Sequence, residues 1–282
     1  MSIGVFDSGV GGLTIHRELV REFPRADFVY FADQANVPYG VRSGEDIYAL
    51  TQAGCERLFE QGCSLIVLAC NTACAVALRK LQMEWLAGQR QSRGRQLNIL
   101  GIIVPTIEQV TGVDWGCIQG ADQSPAARRS LALFATKASV RSSVYDIEIA
   151  KRNRQITVFS EVCMDLARLI EEDASAEVLE ETVRTHVGEV SRRIGGAPDQ
   201  AILGSTHYEI VHQVFEKVLP ETTEIIRQPV STARSLGRYL ERHPEYDAGS
   251  NGGRRFLTTG RPGLQNGLVE RFWGAPLHFE PA

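Results

Sequence analysis

Two stretches of this chain carry an apolar run into small polar side chains at what reads as the start of a helix. SLIVLACNTACAVAL, residues 64–78, delivers Cys70, Asn71 and Thr72, and AILGSTHYEIV, residues 201–211, delivers Ser205, Thr206 and His207. A cysteine between a strand and a helix faces unpaired backbone N–H groups and the positive end of the helix dipole. Both lower a thiol pKa from about 8.5 and favour the thiolate. The bland reading of Cys70 is a buried, inert residue packing as a small hydrophobe. Asn71 and Thr72 add hydrogen-bonding groups, and such a turn can hold a carboxylate without any arginine. Cys74, one helical turn on, reads as packing.

At the second turn Thr206 reads as the N-cap. His207 reads as an acid or base whose pKa the dipole holds down, or as a plain surface histidine. Ser205 takes the place that Cys70 has in the first turn. A hydroxyl is a far weaker acid than a thiol and is no base at neutral pH without an activating partner.

A third turn, FDSGVGGLT at residues 6–14, places Asp7 and Ser8 at a strand end. Its Gly9, Gly11 and Gly12 fall short of the dinucleotide fingerprint, and the charge of Asp7 would repel phosphates. The glycines read instead as a tight strand-to-helix turn that needs positive φ.

Short β-rich runs alternate with helical patterns along the chain, the signature of strand-helix-strand units and a parallel sheet. The strand candidates are IGVFD, DFVYFAD, SLIVLAC, NILGIIVP, SLALFAT, QITVFS, QAILGS, TEIIRQP and RRFLTTG, too many for one small sheet. Helices are expected near 13–22, 44–61 and 73–86. The Gln-, Arg-, Ser- and Gly-rich stretch before Ile99 reads as a domain boundary, giving a first domain of residues 1–98 and 209–282 and a second of 99–208. In parallel sheets the carboxyl ends of the strands host ligands, and the chemistry-bearing turns lie at such ends.

The 282 residues, 43% hydrophobic and 23% charged, suit one or two globular domains. A net charge of −4 gives no basic footprint for nucleic acid or an anionic membrane. The basic cluster QRQSRGRQ, residues 89–96, reads as a solvated loop. No apolar segment approaches the roughly 20 residues that span a bilayer, and MSIGVFDSG lacks a basic leader, so a cytoplasmic location is expected. The six cysteines (Cys55, Cys63, Cys70, Cys74, Cys117 and Cys163) show neither C-x-x-C pairs nor histidine spacing. That argues against a metal site and against a disulfide framework.

Taken together, GVFDSGVGGLT, YFADQANVPYG, LIVLACNTACAVAL and ILGSTHYEIV stand in the order and approximate spacing of the glutamate racemases of the aspartate/glutamate racemase superfamily, which the chain resembles. The resemblance runs on through LALFATKASVRSSVYDIEI, EVCMDLARLIEED and RRFLTTG. It implies an α/β fold of two pseudosymmetric, doubly wound domains with central, mostly parallel sheets and the active site in the cleft between them. It also implies a cofactor-free, two-base racemase acting on glutamate, cytoplasmic and homodimeric, that supplies D-glutamate for peptidoglycan. Cys70 matches the first catalytic cysteine and Ser205 stands where the second belongs. Asp7 resembles the carboxylate assisting the first cysteine, and His207 and Glu171 the groups assisting at the second face, with Glu172 a rival to Glu171. Ser8, Tyr39, Gly40, Asn71, Thr72 and Thr206, with Asp7 and His207, match substrate-binding positions.

The sequence departs from the family pattern in three places. Besides Ser205 there are Glu209 in place of a proline, read as only a helix-start change, and TKAS at 136–139 in place of Thr-x-Gly-Thr. Three explanations of Ser205 stay open. It is a deliberate one-atom replacement of a cysteine, or the mark of a divergent racemase or decarboxylase with one catalytic thiolate, or part of a non-catalytic binding subunit.

Overall fold

The runs IGVF, FVYFA and LIVL are apolar at every position rather than at alternate ones, as strands covered on both faces require. In the computed structural model, which describes residues 2–114, 128–246, 249, 251–263 and 266–282, they form three buried central strands. The strands are β1 (Ser2–Asp7), β2 (Phe28–Ala32), β3 (Cys63–Leu68), β4 (Asn98–Gly101) and β5 (Arg129–Ala135). They continue with β6 (Ile156–Val162), β7 (Gln200–Gly204), β8 (Glu224–Ile226), β9 (Arg254–Thr258) and β10 (Glu280–Pro281).

Two sheets result, ordered β10-β9-β2-β1-β3-β4 and β6-β5-β7-β8, and every strand pairing in both is parallel. The first four strands of each sheet, taken in chain order, have the same lateral order, second-first-third-fourth. The expected α/β architecture of two doubly wound parallel sheets is present.

The chain divides into one unit of Met1–Ile102 with Pro229–Ala282 and another of Ile103–Gln228. This corrects the sequence-based boundaries at both ends. β4 pairs with β3 from Leu65↔Asn98 to Leu68↔Gly101 and so closes the first sheet. β8 pairs with β7, Ala201↔Ile225, and keeps residues 209–228 in the second unit. The basic stretch 89–96 is not a loop either. Leu86–Arg93 is helical, Gly94 ends it at φ 59°, and Arg95 Nη2 donates to the Phe59 carbonyl at 2.6 Å.

The single helix expected over 73–86 is broken into Asn71–Val76, Leu78–Lys80 and a π-helical turn at Leu81–Trp85. Within that turn Gln82 Nε2 donates to the Ile99 carbonyl at 2.7 Å, and Trp85 stacks on Phe59 at 5.8 Å. Only the first half of NILGIIVP is strand. Ile103–Thr111 is helix, and Pro105 sits in its first turn, where a missing N–H costs little. Five cysteines are free and buried, and Cys117 lies outside the described residues.

His16 lies in the helix Leu13–Glu22 that follows the DSGVGG turn, and it is fully buried. Four rings enclose it: Phe28 at 5.2 Å, Tyr30 at 5.4 Å, Phe256 at 5.5 Å and Trp273 at 5.2 Å. Among the described residues neither imidazole nitrogen has a hydrogen-bond partner. Burial, with help from Arg254, pushes its pKa down from 6.5 to about 3. The unfolded chain therefore takes up a proton that the folded chain refuses. The stability is fully present above pH 6.5 and drains as pH falls toward 3. We expect His16→Phe to remove this sensitivity: between pH 7 and 5 the variant should lose about 2 kcal/mol less than the parent in urea unfolding. Parallel pH dependences would contradict the account.

Candidate active site

β1 and β3 are neighbours in the first sheet, and the crossover from β1 goes to one side, to β2, while that from β2 returns to the other, to β3. Such a reversal opens a crevice at the carboxyl ends of the two strands. Asp7 is the last residue of β1, and Cys70 follows β3 by two residues. Cys70 caps the helix Asn71–Val76, its Sγ accepting the Ala73 N–H at 3.4 Å, and Ser8 Oγ lies 3.4 Å from the same sulfur. Asn71 and Thr72, the first residues of that helix, are buried beside it. Cys74 donates to the Leu68 carbonyl at 3.1 Å, a packing position as expected.

Asp7 Oδ2 accepts the Gly12 N–H at 2.8 Å. The expectation that the DSGVGG glycines serve positive φ does not hold. Gly12 has φ −62°, and neither Gly9 nor Gly11 has positive φ. What Gly12 supplies is room: a Cβ there would come within 2.7 Å of Asp7 Cβ and 3.0 Å of Ala69 Cβ. The buried Tyr30 hydroxyl donates to the Gly9 carbonyl at 2.9 Å and fixes the other side of the turn.

The thiolate expectation is corrected as well. Burial, and then the charge of Asp7, push the Cys70 thiol up to about 12. Hydrogen bonds from Ser8 and Ala73 oppose the shift without cancelling it. Cys70 is 5% exposed, and the six-residue helix it caps offers too weak a dipole to offset lost hydration. Cys70 thus rests as the thiol.

Tyr39 and Gly40 lie in the short 3-10 turn Tyr39–Val41. The Tyr39 hydroxyl donates to Asp33 Oδ2 at 2.7 Å, and Asp33 also accepts from Asn36 at 3.0 Å and Thr259 at 2.8 Å. Asp33 escaped the sequence analysis although it stands in plain view in YFADQANVPYG.

In the second sheet β7 holds the place of β3, and Ser205 follows it directly. No α-helix begins there. Thr206–Val211 is a 3-10 turn, and the α-helix starts only at His212. Ser205, not Thr206, occupies the N-cap position, and it makes no side-chain cap bond. His207 Nε2 lies 2.8 Å from Glu171 Oε1, while Glu172 is turned to Arg168 at 2.6 Å. Glu209 is more than a helix-start change: its buried carboxylate pairs with Arg227, whose Nε donates at 2.7 Å. In TKAS, Thr136 caps the helix Lys137–Ser142 and lies 3.0 Å from the Ser139 hydroxyl. Among the described residues no cluster of His, Cys, Asp or Glu is placed to hold a metal ion.

The chain is 59% identical to the glutamate racemase of Phenylobacterium zucineum and 57% identical to that of a Caulobacter species, each over the full length of both chains. The chain belongs to the glutamate racemase family. No family model matches it. Among solved structures it superposes on the glutamate racemase of Francisella tularensis in complex with D-glutamate, with a TM-score of 0.81 at 26% identity. That match covers 100% of this chain and 97% of the other.

For a racemase of this family the protonation of Cys70 is the first quantity to measure. Its alkylation by iodoacetamide, followed by peptide mass spectrometry, should still rise about tenfold per pH unit at pH 10, as a thiol of pKa near 12 requires. Asp7→Asn should move the profile to lower pH by removing a like charge. A plateau below pH 9 in the unmodified protein would refute the shift.

Proposed function

We propose that this chain interconverts L- and D-glutamate by two-base proton transfer at Cα, without a cofactor. Cys70 serves one face of the carbon and the residue at 205 the other. The observation that carries this reading is the repeated strand order. Each unit presents a polar turn after its third strand, Cys70-Asn71-Thr72 in one and Ser205-Thr206-His207 in the other.

A carbon acid needs a strong base, and a thiolate formed from a thiol of raised pKa is strong once made. The ammonium group of an incoming amino acid brings a positive charge beside Asp7 and Cys70. Its arrival lowers the cost of ionising the thiol, and Asp7 holds it. Ser8, 3.4 Å from the sulfur, donates to the thiolate. Tyr39, Gly40, Asn71, Thr72 and Thr206 bind the substrate's carboxylates and amine through hydroxyl, amide and backbone groups. On the second face His207, braced by Glu171, passes protons to and from residue 205.

A serine is poorly suited to that last step, because its O–H is a much weaker acid than a thiol. The enzyme is therefore slow as it stands, with one good base and one poor one. D-Glutamate made in this way serves peptidoglycan synthesis. Placement in the cytoplasm as a homodimer rests on the family resemblance; among the described residues no helix is long and apolar enough to cross a membrane.

The experiment is Ser205→Cys. Racemisation should rise by about two to four decades in kcat, the usual worth of a general acid/base, with KM little changed. Exchange of the α-proton in deuterium oxide, followed for each enantiomer separately, should be one-sided in the parent and two-sided in the variant. Equal, rapid turnover by both proteins would defeat the assignment of residue 205, and exchange from neither enantiomer in either protein would defeat the racemase reading altogether.

A further inference from the structure

The turn that carries Ser205 has little intrinsic rigidity. A six-residue 3-10 segment has poor hydrogen-bond geometry, and the side chain of Ser205 does not cap it. Upstream the chain is held by the sheet: a Cβ on Gly204 would come within 3.0 Å of Ala135 Cβ, Leu133 Cδ1 and the Phe134 carbonyl. Downstream the holding is done by three consecutive side chains, each reaching a different element. His207 meets Glu171 at the end of the helix Leu166–Glu171, at 2.8 Å. The Tyr208 hydroxyl donates to the Cys163 carbonyl, just past β6, at 3.1 Å. Glu209 reaches Arg227, just past β8, where both Nε and Nη2 donate to its Oε1. The Glu209 carbonyl also accepts from His212 Nδ1 at 2.8 Å.

The third tether differs from the others in kind. It joins a permanent cation to a carboxylate on a residue only 9% exposed, and the guanidinium, whose side chain is itself 39% exposed, brings two N–H donors with a strong directional preference. The turn is coupled to Ser205 through the Tyr208 N–H, which donates to the Ser205 carbonyl at 3.0 Å. Rotation of the turn therefore re-aims the residue 205 side chain, which projects from an extended backbone at φ −145° and ψ 139°.

We propose that Glu209, through Arg227, is a positioning residue for the second face of the reaction, fixing the rotation of the turn Thr206–Val211 and thereby the aim of residue 205. The proposal rests on reading residue 205 as the second-face group. It assigns a mechanical task to a carboxylate that touches no reacting atom.

The test uses the full-length chain carrying Ser205→Cys, alone and combined with Glu209→Gln, which keeps the shape and removes the charge, or with Glu209→Asp, which keeps the charge and shortens the reach. Two readouts are taken, with the melting temperature as a control. One is α-proton exchange resolved by enantiomer. The other is the iodoacetamide alkylation rate of the introduced thiol relative to that of Cys70. We expect second-face exchange to fall about tenfold to a hundredfold with Glu209→Gln, and by a smaller factor with Glu209→Asp, while first-face exchange is unchanged. The introduced thiol should change its alkylation rate severalfold and Cys70 should not. Equal losses on both faces, or a fall in melting temperature with the ratio of the two alkylation rates preserved, would reduce Glu209 to a structural residue and overturn the proposal. If no variant exchanges either enantiomer, the racemase reading fails on its own, and the alkylation ratio still decides whether Glu209 aims the turn.

Discussion

The Asp7 carboxylate, buried at the end of β1 and held at 2.8 Å by the Gly12 N–H, sets the terms for everything around it. That contact exists only because residue 12 has no side chain, since any Cβ would overlap Asp7 itself. Burial first, and then the charge of the pinned Asp7 across the sheet reversal, keep the proton on the Cys70 sulfur. Asp7 and Cys70 are both buried, so each raises the cost of a second negative charge beside the other.

The strand order of one unit is repeated in the other, but the chemistry is not. The carboxyl end of β1 bears a buried carboxylate, whereas the corresponding end of β5 bears Thr136, whose hydroxyl caps a helix. The end of β3 bears a thiol, and the end of β7 a hydroxyl. The first turn opens an α-helix and the second a 3-10 segment, so the two candidate groups are supported by different means, one by its own helix and the other by side chains reaching to three neighbours. A shared topology fixes where functional groups emerge and leaves their acidity to local burial and charge.

Much of this was legible in the sequence. Unbroken apolar runs ending in Asp7, Cys70 and Ser205 gave away the parallel strands and the placement of polar groups at their carboxyl ends. The family resemblance named Glu171, with Glu172 as a rival, and Glu171 is the carboxylate that lies beside His207. Other features were hidden for physical reasons. The direction of the Cys70 shift depends on burial and on a carboxylate 63 residues earlier in the chain, neither of which a local dipole argument can weigh. The partner of Glu209 lies on a separate strand connection, and nothing in STHYEIV points to it. The domain boundary was set one strand too early because the pairing of β4 with β3, and of β8 with β7, is not a local property of either sequence.

The rings around His16 have an implication for how the chain comes into being. Phe256 and Trp273 are synthesised after the whole of the second unit, as is Thr259, which braces Asp33. The second unit is one continuous stretch, Ile103–Gln228, and its four described strands are synthesised before that segment exists. The first unit is complete only once β9 can pair with β2 and the helix Asn266–Trp273 can bring Trp273 over the histidine. The first unit is thus begun before the second and completed after it, and the Asp7 turn, which leads directly into the helix bearing His16, gains its full support only once residues 254–273 have been made.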